Sequence, residues 1–123
     1  MKKNTINSDT LLNLITKHSP DMLWIKDLNG RYLYANNAIC NGLLIATPNE
    51  VIGKTDIFFA LREREKYKDN KNWHTFGELC TNTDLETIKH MRPLRFLENG
   101  NIQGKMTYLE VDKAPFFNEN KNL

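Results

Sequence analysis

The sequence has little of what marks several specialised classes of protein. Its 123 residues include only two cysteines, Cys40 and Cys80, too few for a disulfide framework or a cysteine-rich metal cluster. No apolar run approaches the roughly 18 residues of a membrane span, and no apolar stretch follows the basic start as in a signal peptide. The formal net charge is only +2, with both signs mixed, which argues against a dedicated nucleic-acid binder. We expect a cytoplasmic protein with two free thiols and no membrane contact from this segment.

What the sequence does contain is enough apolar material for one folded domain. Hydrophobic residues make up 40% of the chain and charged residues 26%, which is ordinary for a globular protein. The length fits one domain and leaves no room for two.

An amphipathic helix is predicted at residues 8–18. Ser8 or Asp9 can cap its start, and Pro20 disfavours helix just before it. Leu11, Leu14 and Ile15 fall on one face at helical spacing, so this stripe needs a partner surface. We expect it to form the interface of a homodimer.

The rest of the chain alternates between strand and helix signals. Asn29-Gly30 and Asn99-Gly100 are both typical hairpin turns, and Thr47-Pro48-Asn49-Glu50 and Thr83-Asp84-Leu85-Glu86 both match the capping box. The predicted elements are strands at 22–27, 31–35, 93–98 and 105–114, helices at 38–46, from 47, at 57–69 and from 83, and an irregular excursion at 70–82. This order predicts an α+β fold, in which helices cluster on one face of an antiparallel sheet.

At this level of detail the chain resembles a PAS domain, a sensory module of bacterial signalling proteins. The resemblance rests on several motifs that occur in the family's order. They are Ser19-Pro-Asp-Met-Leu-Trp-Ile-Lys-Asp27, Leu28-Asn-Gly-Arg31, Tyr32-Leu-Tyr-Ala-Asn-Asn-Ala38, Val51-Ile-Gly-Lys-Thr-Asp56 and Lys113-Ala-Pro115.

The resemblance implies a five-stranded antiparallel sheet with short helices over one face and a small pocket between them. It divides the chain into an N-terminal helix at 1–18, a PAS core at 19–117 and a polar tail at 118–123. The family's last strand, which lies centrally beside the first and fourth, is absent from this sequence, so we expect a fragment of a longer protein. What occupies the place of that strand stays open.

The family register also implies which side chains face the pocket. One interpretation is that they simply fill the core. A second is that they bind a small acidic ligand through Lys26 and Arg95, and a third is that these two charged side chains snorkel or lie at the surface. The candidate ligand-binding residues are Trp24, Lys26, Leu33, Ala35, Ile88, Arg95, Leu97, Thr107, Leu109 and Val111, and Met22 is predicted to face the helices with them.

Cofactor signals are weak. Some PAS domains hold haem through a histidine, for which His90 or His74 would be the candidate. Neither Cys40 nor Cys80 lies in the motif of flavin-binding relatives, and the histidines and cysteines show no metal-ligand spacing. We expect no cofactor and no metal.

These observations predict a non-catalytic sensory and dimerisation domain that passes its signal to a downstream output domain. By resemblance, the parent protein is part of a two-component system as a sensor histidine kinase, or is a diguanylate cyclase. Two alternatives stay open: a dimerisation module without a ligand, and a small α+β enzyme. The sequence shows no phosphate-binding loop or nucleophile elbow for the latter.

Overall fold

The chain runs as a helix, a short hairpin, a set of helices and a long hairpin. The computed structural model describes residues 8–67 and 72–116, so the predicted tail at 118–123 lies outside the described residues. The helices are α1 (Ser8–Thr16), α2 (Asn37–Ile39), which continues as a π-helical turn (Cys40–Leu44), α3 (Pro48–Val51), α4 (Asp56–Lys66) and α5 (Phe76–His90). The strands are β1 (Trp24–Lys26), β2 (Tyr32–Ala35), β3 (Leu94–Ile102) and β4 (Lys105–Lys113).

The strands form two separate antiparallel hairpins. β1 pairs with β2, and β3 pairs with β4. Within the described residues no hydrogen-bonded ladder joins β1 to β4. The predicted α+β class and antiparallel pairing are confirmed. Among the residues that the structure describes, the first and fourth strands each have one edge without a strand partner.

The core lies between the first hairpin and the helices α2 to α5. Aromatic and aliphatic side chains with almost no exposure form it, because each element turns its apolar face inward. Its most deeply buried members are Tyr32, Ile39, Cys40, Leu44, Val51, Phe59 and Phe76.

Local capping signals placed the middle helices correctly. Thr47 Oγ1 accepts a hydrogen bond from the backbone N–H of Glu50, and the Glu50 carboxylate accepts one from the N–H of Thr47. Asn36 caps α2 and Thr55 caps α4 in the same manner. These bonds satisfy N–H groups that the first helical turn leaves unpaired, so the motif works wherever a helix begins.

The predicted turn at Asn99-Gly100 is wrong. Both residues lie inside β3, and the chain turns at Gln103 and Gly104, whose φ angles are +49° and +78°. Gly100 is in the strand because there is no room for a side chain: a Cβ there would lie 2.6 Å from Thr75 Oγ1. The glycine therefore reflects close packing rather than a turn.

The predicted helix start at Thr83 is also wrong. α5 begins seven residues earlier, at Phe76, in the stretch that sequence analysis assigned to an irregular excursion. Thr83 Oγ1 donates to the backbone carbonyl of Leu79 or Cys80 or to the Glu98 carboxylate, as a residue in mid-helix does. The polar side chains of Thr83 and Asp84 therefore form tertiary contacts and do not cap a helix.

The inward register is correct for β4 and wrong for β3. Thr107, Leu109 and Val111 turn toward the interior as predicted. Arg95 and Leu97, predicted to face the helices, point outward, with Leu97 78% exposed. Because alternation has a period of two, a shift of one residue moves every side chain to the opposite face.

A bulge explains why Leu33 is exposed. Ile25 lies opposite Tyr34 and Lys26 opposite Tyr32, so Leu33 has no cross-strand partner. The extra residue resets the alternation, which lets both Tyr32 and Ala35 be buried although they are three residues apart. The prediction that Leu33 and Ala35 share an inner face is therefore wrong for Leu33.

Candidate ligand cleft

A solvent-open cleft of about 880 Å³ separates the two hairpins. One wall is the continuous segment 22–30, which contains β1 and its turn, and the opposite wall is the segment 112–116 at the end of β4. The start of α4 and one face of α5 form the floor. The cleft is thus assembled from four elements that lie far apart in the sequence.

The edges of two strands line this cleft. Side chains alternate between the faces of a strand, so a run of consecutive residues along a wall means that the backbone edge faces the space. Residues 22–30 form such a run on one side and 112–116 on the other. Apolar side chains, among them Leu23, Leu85 and Ile88, cover most of the remaining surface.

The first charged group of the floor is Lys26. Its Nζ donates to Asp56, the first residue of α4, and to Asp84 Oδ2 on α5 at 2.6 Å. The Tyr32 hydroxyl donates to the other oxygen of Asp56. Burial alone would lower the pKa of Lys26, but the carboxylates of Asp56 and Asp84 outweigh it and raise the pKa above its usual value. Lys26 is therefore a charged, internally compensated group.

The second charged group is Lys113, which approaches from the opposite hairpin. Its Nζ lies 2.8 Å from Asp84 Oδ1, 2.5 Å from Thr83 Oγ1 and 3.3 Å from Glu98 Oε1. Only 6% of its side chain is exposed. The carboxylate of Asp84 therefore bridges two buried lysines that belong to different hairpins.

Neighbouring titratable groups are held neutral by the same surroundings. Burial, together with the charge of Asp56, raises the pKa of the Tyr32 hydroxyl well above its usual value. Burial likewise raises the pKa of the Cys80 thiol, so that it stays protonated, unlike a reactive cysteine.

The structure brings together only part of the predicted ligand-binding set. Trp24, Lys26, Leu33 and Ile88 line the cleft. Ala35, Thr107, Leu109 and Val111 do not line it, and the exposed Arg95 forms an ion pair with Asp112 across the hairpin. Lys26 and Arg95 therefore do not converge on one ligand, which corrects that element of the prediction.

Sequence reasoning missed the two residues that complete the charged floor. Asp84 was interpreted as part of a capping box, and Lys113 only as part of a family motif. The signal for Lys113 was present, since it follows Thr107, Leu109 and Val111 at the same period of two and so belongs to the inner face. Asp84 carried no such signal, because its role depends on two lysines remote in sequence.

The histidines considered as haem ligands lie away from the cleft walls. His74 is buried behind α4, and its Nδ1 has no hydrogen-bond partner among the described residues. His90 is exposed at the end of α5, where its Nδ1 lies 2.9 Å from the Glu86 carbonyl oxygen. Among the described residues no group of three or more His, Cys, Asp or Glu side chains is arranged to hold a metal ion.

None of the helices in the part of the chain that the structure describes is long and apolar enough to span a bilayer.

Comparison with known proteins defines the class. The family model described as the PAS fold matches residues 16–122, most of the chain. The protein therefore belongs to the PAS family, whose members are sensory signalling modules and are generally non-catalytic. The predicted family is confirmed.

A solved structure agrees with this assignment of the fold. The chain is similar to the PAS domain of BvgS from Bordetella pertussis, with a TM-score of 0.54 and 15% sequence identity. The match covers 93% of this chain and 75% of that one. A comparison with curated proteins found no match.

Proposed function

We propose that this PAS domain is a non-catalytic sensor that binds a small, largely apolar ligand in the cleft between its hairpins. The observation that carries the proposal is the cleft itself: an open, mainly apolar space of about 880 Å³ whose charged floor links both hairpins. A ligand in this space contacts β1, β4 and α5 at once. Its binding therefore changes how the two hairpins are held relative to each other.

This change passes the signal to an output domain of the parent protein. We propose that the parent protein is a histidine kinase or a diguanylate cyclase. The domain acts in the cytoplasm and without haem, flavin or metal. The two histidines considered as haem ligands, His74 and His90, are not among the residues that line the cleft.

Calorimetric titration with octan-1-ol tests the ligand site. Leu85 lines the cleft and is more than half exposed, so Leu85→Trp fills the space without disturbing the core. We expect this variant to lose binding and Leu61→Trp, at an exposed position of α4 outside the cleft, to keep it. Unchanged binding in Leu85→Trp would contradict the proposal.

We further propose that α1 mediates homodimerisation. Leu11 is exposed, and Leu14 and Ile15 are 67% and 75% exposed, so the predicted stripe has no cover within the described chain. At its C-terminal end α1 is anchored, because Asn36 Nδ2 donates to the Thr16 carbonyl. An anchored helix with an open apolar face suits contact with a second copy.

Sedimentation of the double variant Leu14→Glu, Ile15→Glu tests this interface. We expect a dimer to become a monomer, because two buried carboxylates would repel and lose their hydration. Leu61→Glu, at another exposed apolar position, is the matched control and should leave the dimer intact. An unchanged mass in the double variant would remove the proposal.

A further inference from the structure

The Asp84 carboxylate lies between two lysines in the floor of the cleft. Lys26 and Lys113 reach it from opposite walls, at 2.6 Å from Oδ2 and 2.8 Å from Oδ1. The two ammonium groups thus define a preformed site for one carboxylate, and Asp84 occupies it. The Asp84 carboxylate thus acts as an internal anion that both lysines share.

Each lysine also has a second acidic partner on its own side of the cleft. Lys26 binds Asp56, which is 5% exposed, and Lys113 lies near Glu98, which is 3% exposed. Loss of Asp84 from the site would therefore leave neither lysine without a carboxylate. This makes exchange of the shared anion less costly than breaking an isolated buried pair.

Asp84 is the member of the group that can move. Its side chain is 20% exposed, against 8% for Lys26 and 6% for Lys113. It lies on α5 in the floor of the open cleft, so rotation of the side chain brings the carboxylate to water. The lysines are held by buried partners and stay in place.

The charge balance selects the kind of ligand. Two lysines face three carboxylates, those of Asp56, Asp84 and Glu98. A monocarboxylate that replaces Asp84 leaves this balance unchanged, whereas a dianion adds uncompensated charge to a buried site. A neutral head group can accept hydrogen bonds from the two ammonium groups but lacks the charge that a carboxylate brings to them. The apolar part of the floor beyond the site, which includes Leu85 and Ile88, suits a hydrocarbon tail.

We propose that the ligand is an amphiphilic monocarboxylate whose head group displaces Asp84 from Lys26 and Lys113. This inference rests on the proposed function, since it names the ligand class of the same cleft. Asp84 then holds the two hairpins together in the empty state, and the ligand carboxylate takes over that contact when it binds.

Titration with octanoate and with octan-1-ol, which share a chain length, separates the two proposals. Asp84→Asn removes the internal competitor, so octanoate should bind about tenfold tighter than to the unmodified protein, with octan-1-ol unchanged. Lys113→Met should abolish the preference for octanoate. If both compounds bind all variants alike, the carboxylate inference fails and the ligand cleft stands. If neither compound binds, the proposed function fails with it.

Chemical rescue gives a second measurement that needs no tail binding. Asp84→Ala leaves the anion site empty, and sodium acetate should raise its unfolding temperature more than sodium chloride at equal ionic strength. The matched control is Asp112→Ala, which removes an exposed carboxylate at the rim of the same cleft. The control should show no acetate-specific rise. An equal response of both variants to acetate and chloride would overturn the proposal.

Discussion

The two hairpins of this domain are stabilised in different ways. β3 and β4 pair over nine consecutive positions without interruption. β1 and β2 pair at three positions with a bulge at Leu33, and the inner residues of this hairpin depend on Asp56 and Asp84 of the helices. A long ladder keeps its geometry through its own hydrogen bonds, whereas a short one needs contacts from outside. The first hairpin is therefore the one whose geometry is more open to influence from the cleft.

The largest effect should come from removing the buried lysine of the long hairpin. Lys113→Met leaves Asp84 and Glu98 without that cation, and we expect a loss of about 3–5 kcal/mol in the free energy of unfolding. Arg95→Met, in the same hairpin but with an exposed partner, should leave the urea midpoint unchanged. Equal midpoints for the two variants would show that burial of the cation does not matter here.

The next effect concerns the packing of the long hairpin on α5. Gly100→Ala places a Cβ 2.6 Å from Thr75 Oγ1, which accepts a hydrogen bond from the Asn101 N–H. We expect a loss of about 1–3 kcal/mol in urea unfolding. Asn99→Ala, on the exposed side of the same strand, is the control. If Gly100→Ala is as stable as Asn99→Ala, Thr75 moves aside without loss of free energy and the close packing does not constrain this position.

A smaller effect should separate the two hairpins directly. Tyr32→Phe removes the hydroxyl that donates to Asp56, while Asp56 keeps Lys26, so we expect a loss of about 1 kcal/mol. Hydrogen exchange should become faster in β1 and β2 and stay unchanged in β3 and β4. Tyr108→Phe, at an exposed position of β4, should change neither. Faster exchange in both hairpins would contradict the proposed difference between them.

The smallest effect is a dependence of stability on pH that comes from the buried His74. Burial lowers the pKa of His74, an effect that Glu63 partly offsets. Below a pH of about 6.5 the histidine of the unfolded chain takes up a proton more readily than the buried His74 does. The free energy of unfolding therefore decreases as the pH is lowered. We expect the stability of His74→Gln to decrease less than that of the unmodified protein when the pH is lowered from 7.5 to 5.5. A stability difference between the two proteins that is constant over this range would rule out the effect.

Local signals in the sequence predicted much of the fold. The capping box at Thr47 and the hairpin turn at Asn29-Gly30 work within a few residues, so no distant contact was needed to recognise them. The Asn99-Gly100 and Thr83 motifs look the same in the sequence. They failed because Thr75 packs against one and Lys113 bonds to the other, and such contacts leave no trace at short range.

The candidate site was predictable only in part. Trp24, Lys26 and Ile88 were predicted to face the pocket and do line the cleft, and the inner face of β4 was assigned correctly. Leu33 also lines the cleft, although its predicted inward orientation was wrong. The inward placement of Arg95 and Leu97 was wrong, since the phase of β3 depends on which face packs against α5. The predicted dimer, ligand and output domain stay predictions.

The sequence by itself determined the class of this protein. Motifs in family order, alternating strands and local caps suffice for that, because they act over short distances along the chain. Only the tertiary structure decided that Lys26 and Lys113 share the carboxylate of Asp84. Three residues separated by 58 and 29 positions meet there because two hairpins pack on one helix, and buried charge is stable only where its partners converge.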